Sequence, residues 1–126
     1  MHEELPHVDR FILDEIDSVP HLEALLLLWR HAPKPCSAAQ IAEQLYIPRA
    51  QGAAIVEDLQ RRGLIARASG FEFFYDTSDE QRNCLLAAVE ESYRRELIRI
   101  SGIIHSKASP GIRAFADAFR LRKDRS

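Results

Sequence analysis

The chain has 126 residues, 46% hydrophobic and 29% charged, with a net charge of −2. That length suits one domain, the apolar fraction excludes wholesale disorder, and the size is enough to bury a core without disulfides or metals. Charge is uneven: residues 1–32 are acidic and residues 106–126 are basic, a pattern suited to pairing within the chain or with a second subunit.

Cys36 and Cys84 form no C-x-x-C and have no His or Cys at ligand spacing, so they read as two reduced thiols of a cytoplasmic protein. The N-terminus is acidic and lacks the basic-then-apolar order of a signal peptide. The longest apolar run, residues 24–29, is far short of a membrane span.

In chain order, Val8, Phe11, Ile12 and Ile16 sit at helical spacing and predict a short leading helix over 8–17. Ser18 is a suitable N-cap for a second helix, in which Pro20 lies early enough to be harmless. Leu22, Leu25, Leu26 and Trp29 form one apolar face of that helix, and Pro33 and Pro35 end it. Ser37 with Gln40 three residues on is a capping-box signature that opens a helix over 37–45. Tyr46-Ile47-Pro48 makes a tight connection to a helix over 49–62, whose inward face is Ile55, Val56 and Leu59 and whose C-cap is Gly63. Residues 64–67 and 71–75 read as two strands, with Ser69-Gly70 as the hairpin turn.

Residues 78–107 carry the longest helical pattern. Leu86, Val89, Tyr93, Leu97, Ile100 and Ile104 make a near-heptad seam. One straight helix of that span is a rod of ~45 Å, so one end is expected to project and to pair with a second copy. Gly102 is the weak point of that rod. Ser109-Pro110 opens a last short helix with the apolar stripe Ile112, Phe115, Ala116 and Phe119. The bases Arg113, Arg120, Arg122, Lys123 and Arg125 flank that stripe. The stripe packs on the domain or across a dimer, or docks on a protein partner through Ile112, Phe115, Phe119 and Arg120, or the helix touches a nucleic-acid backbone.

The expected fold is mainly α: a winged helix-turn-helix with a two-stranded wing over residues 1–77, then a long C-terminal helix and a short terminal helix over 78–126, in one compact unit. Ile41-Ala42-Glu43-Gln44-Leu45 is similar to the "I-A-x-x-L" of the first helix of such units. Leu59-Gln60-Arg61-Arg62-Gly63-Leu64-Ile65 is similar to the "L-x-x-x-G-L-I" that leads from the recognition helix into the wing. The arrangement resembles the MarR-like group of bacterial transcriptional regulators. The resemblance implies that helix 49–62 lies in a DNA major groove, presenting Arg49, Ala50, Gln51, Ala53 and Ala54, and that the wing touches the backbone or minor groove.

Base reading needs donors and acceptors near a helix N-terminus, which Arg49 and Gln51 supply, while Ala53 offers a methyl contact. Arg61, Arg62 and Arg67, with Ser69 at the wing tip, are the candidates for holding phosphates. Glu57 and Asp58 stand on the same helix, the unit is neutral overall, and duplex DNA is a dense anion. Two functions therefore stay open: a dimeric DNA-binding regulator, or a protein-interaction adaptor that uses the fold without DNA.

An enzyme is not expected. His2, His7, His21, His31 and His105 include no pair at i+3 or i+4, and no nucleophile elbow or glycine-rich phosphate loop appears. His21 and His31 read as local capping groups at the two ends of one helix. No residue set points to a cofactor or a metal.

Overall fold

The computed structural model describes residues 7–108, which form helices α1 (His7–Glu15), α2 (Val19–His31), α3 (Ala38–Leu45), α4 (Arg49–Arg61), α5 (Glu80–Arg95) and α6 (Leu97–Ala108). Three short strands accompany them: β1 (Cys36–Ser37), β2 (Ala66–Ser69) and β3 (Glu72–Phe74). Ile112, Phe115, Phe119 and Arg120, the expected docking residues of a terminal helix, lie outside the described residues. Among the described residues, no helix is long and apolar enough to cross a membrane.

The local signals act as their chemistry dictates. Ser18 caps α2, its Oγ accepting from the His21 N–H at 3.2 Å. Ser37 and Gln40 form both halves of a capping box at α3: the Gln40 N–H donates to Ser37 Oγ at 3.0 Å and the Ser37 N–H to Gln40 Oε1 at 2.8 Å. Each satisfies a donor that a helix start leaves orphaned. Past the end of α4, Gly63 adopts φ +76°, the left-handed conformation that glycine takes without strain.

α2 is the axis of the molecule. Leu22, Ala24, Leu25, Leu26, Leu27 and Leu28 are all buried, so apolar side chains surround it nearly all round. It packs against α3, α4, α5 and β3. Ile41, Ile55, Val56, Leu59, Leu64 and Ile65 close the winged-helix side of the same core. Phe73 and Tyr75, two residues apart on one face of the wing, point into it.

The sheet differs from the expected two strands. β1, the residue pair that leads into α3, adds to the wing's inner edge with Cys36 opposite Phe73 and Ser37 opposite Glu72, giving the antiparallel order β1-β3-β2. Two residues carry too little pattern to read as a strand; pairing with β3 creates it. β2 begins at Ala66 rather than Leu64, because Leu64 and Ile65 are buried where the chain leaves α4. A register shift lies between Arg67 and Ser69.

The larger correction concerns the long rod. The helix over 78–107 breaks at Glu96, which has φ −130° and ψ 51°, and not at Gly102. The chain bends there, with the Glu96 N–H still donating to the Ser92 carbonyl at 2.7 Å and the Ile100 N–H to the Glu96 carbonyl at 2.9 Å, and α6 packs on α1. Leu86, Val89, Ile100 and Ile104 are thereby buried in the chain's own core, and Tyr93 is half-buried with its hydroxyl donating to Glu23 Oε2 at 2.8 Å. Of the six residues expected to line a seam between two copies, only Leu97 is exposed. Burying Ile100 and Ile104 is worth roughly 1.5–3 kcal/mol each, which outweighs a local bend at Glu96. Arg99 anchors α6 to α1, donating from Nη1 to Asp9 Oδ2 at 2.7 Å.

Candidate nucleic-acid interface

α3 and α4 meet at Gly52. A Cβ placed there would lie 2.8 Å from Ala42 Cβ and 3.1 Å from the Ala38 carbonyl oxygen. The bare glycine lets the two backbones come together, and Ile55, Val56 and Leu59 continue the contact inward. The turn between them is held by Tyr46 at φ 59° and ψ 44°, with the Ile47 N–H donating to the Ala42 carbonyl at 3.0 Å. Tyr46 itself is 95% exposed, a non-glycine residue held in the left-handed region with no packing to compensate.

With that face committed, α4 presents the opposite one. Arg49, Ala50, Gln51, Ala53, Ala54, Glu57 and Arg61 are exposed. At 100° per residue, Ala50, Ala54, Glu57 and Arg61 form the outermost ridge, with Arg49 and Gln51 flanking it on either side. Arg49 has no ion pair among the described residues.

The other three arginines are engaged within the chain. Arg61 Nη1 lies 2.9 Å from Asp58 Oδ1. Arg62 Nη2 lies 2.9 Å from Asp17 Oδ1, while its Nη1 donates to the Asp14 carbonyl at 3.1 Å and stands 3.6 Å from Glu15 Oε1. Arg67 Nη2 lies 3.0 Å from Glu57 Oε2, its Nη1 donates to the Gly70 carbonyl at 2.6 Å, and its guanidinium stacks 4.7 Å from the Phe73 ring centre. Each of these cations is matched by a carboxylate: Arg61 by its i,i+3 neighbour on α4, Arg62 and Arg67 by acids that the fold brings to them. Ser69 is exposed on β2. Phe71, read from sequence as the start of a strand, stands 84% exposed at the wing tip beyond the sheet; the preceding Gly70, at φ +45°, is the signal that the chain turns there.

His21 does more than cap a helix. Its Nδ1 is 2.6 Å from Ser18 Oγ, as a local capping role requires, but its Nε2 reaches Asp58 Oδ2 on α4 at 2.8 Å. The His21 contact, seconded by Arg61 and opposed by burial, holds the Asp58 carboxyl below the usual carboxylate range. Ser18, His21 and Asp58 thus line up in the order of a hydrolase triad, yet Ser18 Oγ already accepts the His21 backbone N–H as the α2 cap. No sequence rule brings residue 58 to residue 21; only the packing of α4 on α2 does.

Residues 18–70 match the family model described as MarR family. Among solved structures, a MarR family transcription regulator aligns with a TM-score of 0.51 at 20% identity, covering 94% of this chain and 76% of that one. The heme sensor protein PefR from Streptococcus agalactiae, crystallised in complex with heme, aligns with a TM-score of 0.52 at 19% identity, covering 89% of this chain and 83% of that one. No curated relative matches the sequence. The chain is a winged helix-turn-helix protein that resembles MarR-family regulators in the segment from the α2 cap to the wing.

Proposed function

We propose that the chain is a DNA-binding transcriptional regulator that acts as a dimer, with α4 as its recognition helix. The observation that carries this reading is the seating of Gly52 on α3, which leaves the opposite face of α4 exposed, with Arg49 and Gln51 on its two flanks, in the segment that matches the MarR family model. Arg49, which has no ion pair among the described residues, and Gln51 are the base readers, with Ala53 supplying a methyl contact. Arg61, Arg62, Arg67 and Ser69 supply backbone contacts, each arginine exchanging its internal carboxylate for a phosphate. That exchange makes the affinity modest for one subunit and gives weight to a second copy. Exposed Leu97 and Ile98, beside a groove lined by Val19, Tyr93, Gly102 and His105, are the apolar surface offered to that copy.

The adaptor reading keeps a specific support of its own. The outermost ridge of α4 is two methyl groups, a carboxylate and an arginine already matched to Asp58, a surface as suited to a protein as to a polyanion.

Selection from a pool of random duplex DNA, followed by titration of the selected site at several salt concentrations, separates the two. A regulator selects a defined site, weakens steeply as salt rises, and loses about 1–3 kcal/mol of base preference in Arg49→Ala. Absence of binding at low salt by a folded dimer rejects the regulator in favour of the adaptor.

A further inference from the structure

Asp17 in the α1–α2 connection, His21 in the first turn of α2 and Asp58 on α4 each offer one donor atom, and these atoms all lie within 4.8 Å of one another. The three residues are 4 and 37 positions apart, so no local motif announces the group. We propose that Asp17, His21 and Asp58 form a binding site for one divalent transition-metal ion of the zinc type, which competes with the Arg61 and Arg62 guanidiniums for the two carboxylates.

The donor set suits such an ion. One imidazole with two carboxylates is a nitrogen–oxygen set for zinc, cobalt or nickel rather than an all-oxygen cage for calcium or magnesium. In a tetrahedral site with bonds near 2.0 Å, neighbouring donors stand about 3.3 Å apart, so the group closes on an ion by side-chain rotation. The imidazole is already aimed. Ser18 Oγ lies 2.6 Å from Nδ1, and with the proton on Nδ1 the hydroxyl accepts it, directing the Nε2 lone pair at Asp58. That is the outer-shell arrangement by which metal-binding histidines are oriented and fixed in one tautomer. Without an ion, the Nε2 proton occupies the 2.8 Å gap between Nε2 and the Asp58 oxygen; a bound cation takes its place, and the ring keeps its proton on Nδ1.

The surrounding charge favours the cation. Glu15, 3.6 Å from Arg62 Nη1, adds a third carboxylate to Asp17 and Asp58. Three carboxylates therefore face two guanidiniums, an excess of one negative charge before any metal binds. The two arginines are 35% and 70% exposed at their side chains, so both can swing into water when an ion takes their place. The three ligands come from the α1–α2 connection, α2 and α4, so a bound ion ties the C-terminal half of α4 to the central helix and frees Arg61 and Arg62. The metal site stands on this geometry alone; only the use of the freed arginines for phosphates rests on the DNA-binding reading.

Titration of the untagged full-length chain with Co²⁺ tests the site through the visible absorption of low-symmetry, four-coordinate cobalt, and Zn²⁺ is then added in competition. One Co²⁺ per chain, displaced by Zn²⁺, is expected. His21→Gln and Asp17→Asn each weaken binding by more than about tenfold, while Arg62→Gln strengthens it several-fold by removing the competing cation. Asp17 lies in a connection and not in the core, so Asp17→Asn keeps the test valid where His21→Gln alters folding; circular dichroism checks this. Absence of cobalt binding overturns the proposal, and so does binding of equal strength in wild type and Asp17→Asn, which places the ion elsewhere.

Discussion

Gly52 of α4 stands so close to Ala42 of α3 that a methyl group on it would come within 2.8 Å of the Ala42 side chain. The neighbours are a short side chain and the Ala38 backbone carbonyl, neither of which can swing aside. Gly52→Ala gains about 1 kcal/mol of helix propensity but overpacks the helix-turn-helix contact, at a typical cost of 1–3 kcal/mol or more. The expected net result is a destabilisation on the order of 1 kcal/mol in urea unfolding, together with a displaced α4. Unchanged or increased stability would show that the two helices part without cost.

Arg67 is held by Glu57 across the gap between the wing and α4. Glu57→Gln removes a negative charge from the presented ridge and releases the guanidinium toward solvent. DNA affinity is expected to rise with the salt slope unchanged, because Arg67 meets a phosphate in both, while Arg67→Gln lowers the slope of log affinity against log salt by about one. Slopes measured for wild type and both variants on the same duplex decide this. Equal slopes in wild type and Arg67→Gln would mean that Arg67 takes no phosphate.

Burial separates two neighbouring isoleucines of α6. Ile100 is wholly buried, whereas Ile98 is 86% exposed. Ile100→Glu places a carboxylate in the core and is expected to cost more than about 3 kcal/mol, read as loss of the cooperative unfolding transition or a large fall in its midpoint. Ile98→Glu is expected to leave the subunit folded and to lower the dimer fraction in sedimentation. If Ile98→Glu sediments as wild type does, the apolar surface of α6 is not where copies meet.

Tyr93 ties α5 to α2 through its hydroxyl on Glu23. Burial first, then the hydrogen bond to the Glu23 carboxylate, pushes its ionisation well above the usual tyrosine range. Tyr93→Phe is expected to cost about 1–2 kcal/mol. Since the folded state holds the proton more tightly than the unfolded one, that advantage is complete below about pH 10 and is lost as pH rises further toward the folded value. Urea midpoints of wild type and Tyr93→Phe, followed from neutral to strongly alkaline pH, are expected to run parallel and then converge. A gap that stays constant would mean the hydroxyl is not protected.

Much of the scaffold is legible in short-range chemistry. The Ser18 cap, the Ser37–Gln40 box and the glycine after α4 each depend on residues three or four apart, and each forms as the sequence implies. The order of helices and wing follows from them. The two-residue β1 was not legible, because nothing in Cys36-Ser37 favours a strand until β3 lies beside it.

Apolar period and capping are local properties of the chain, so the helix-turn-helix, its wing and the outward set of α4 can be read from the residues alone. The break at Glu96, the burial of Ile100 and Ile104, the matching of Arg62 and Arg67 to carboxylates, and the meeting of Asp17, His21 and Asp58 were decided only in three dimensions. An apolar seam reads alike whether its partner is another chain or an earlier helix of the same one. An arginine likewise reads as free until the fold brings an acid to it.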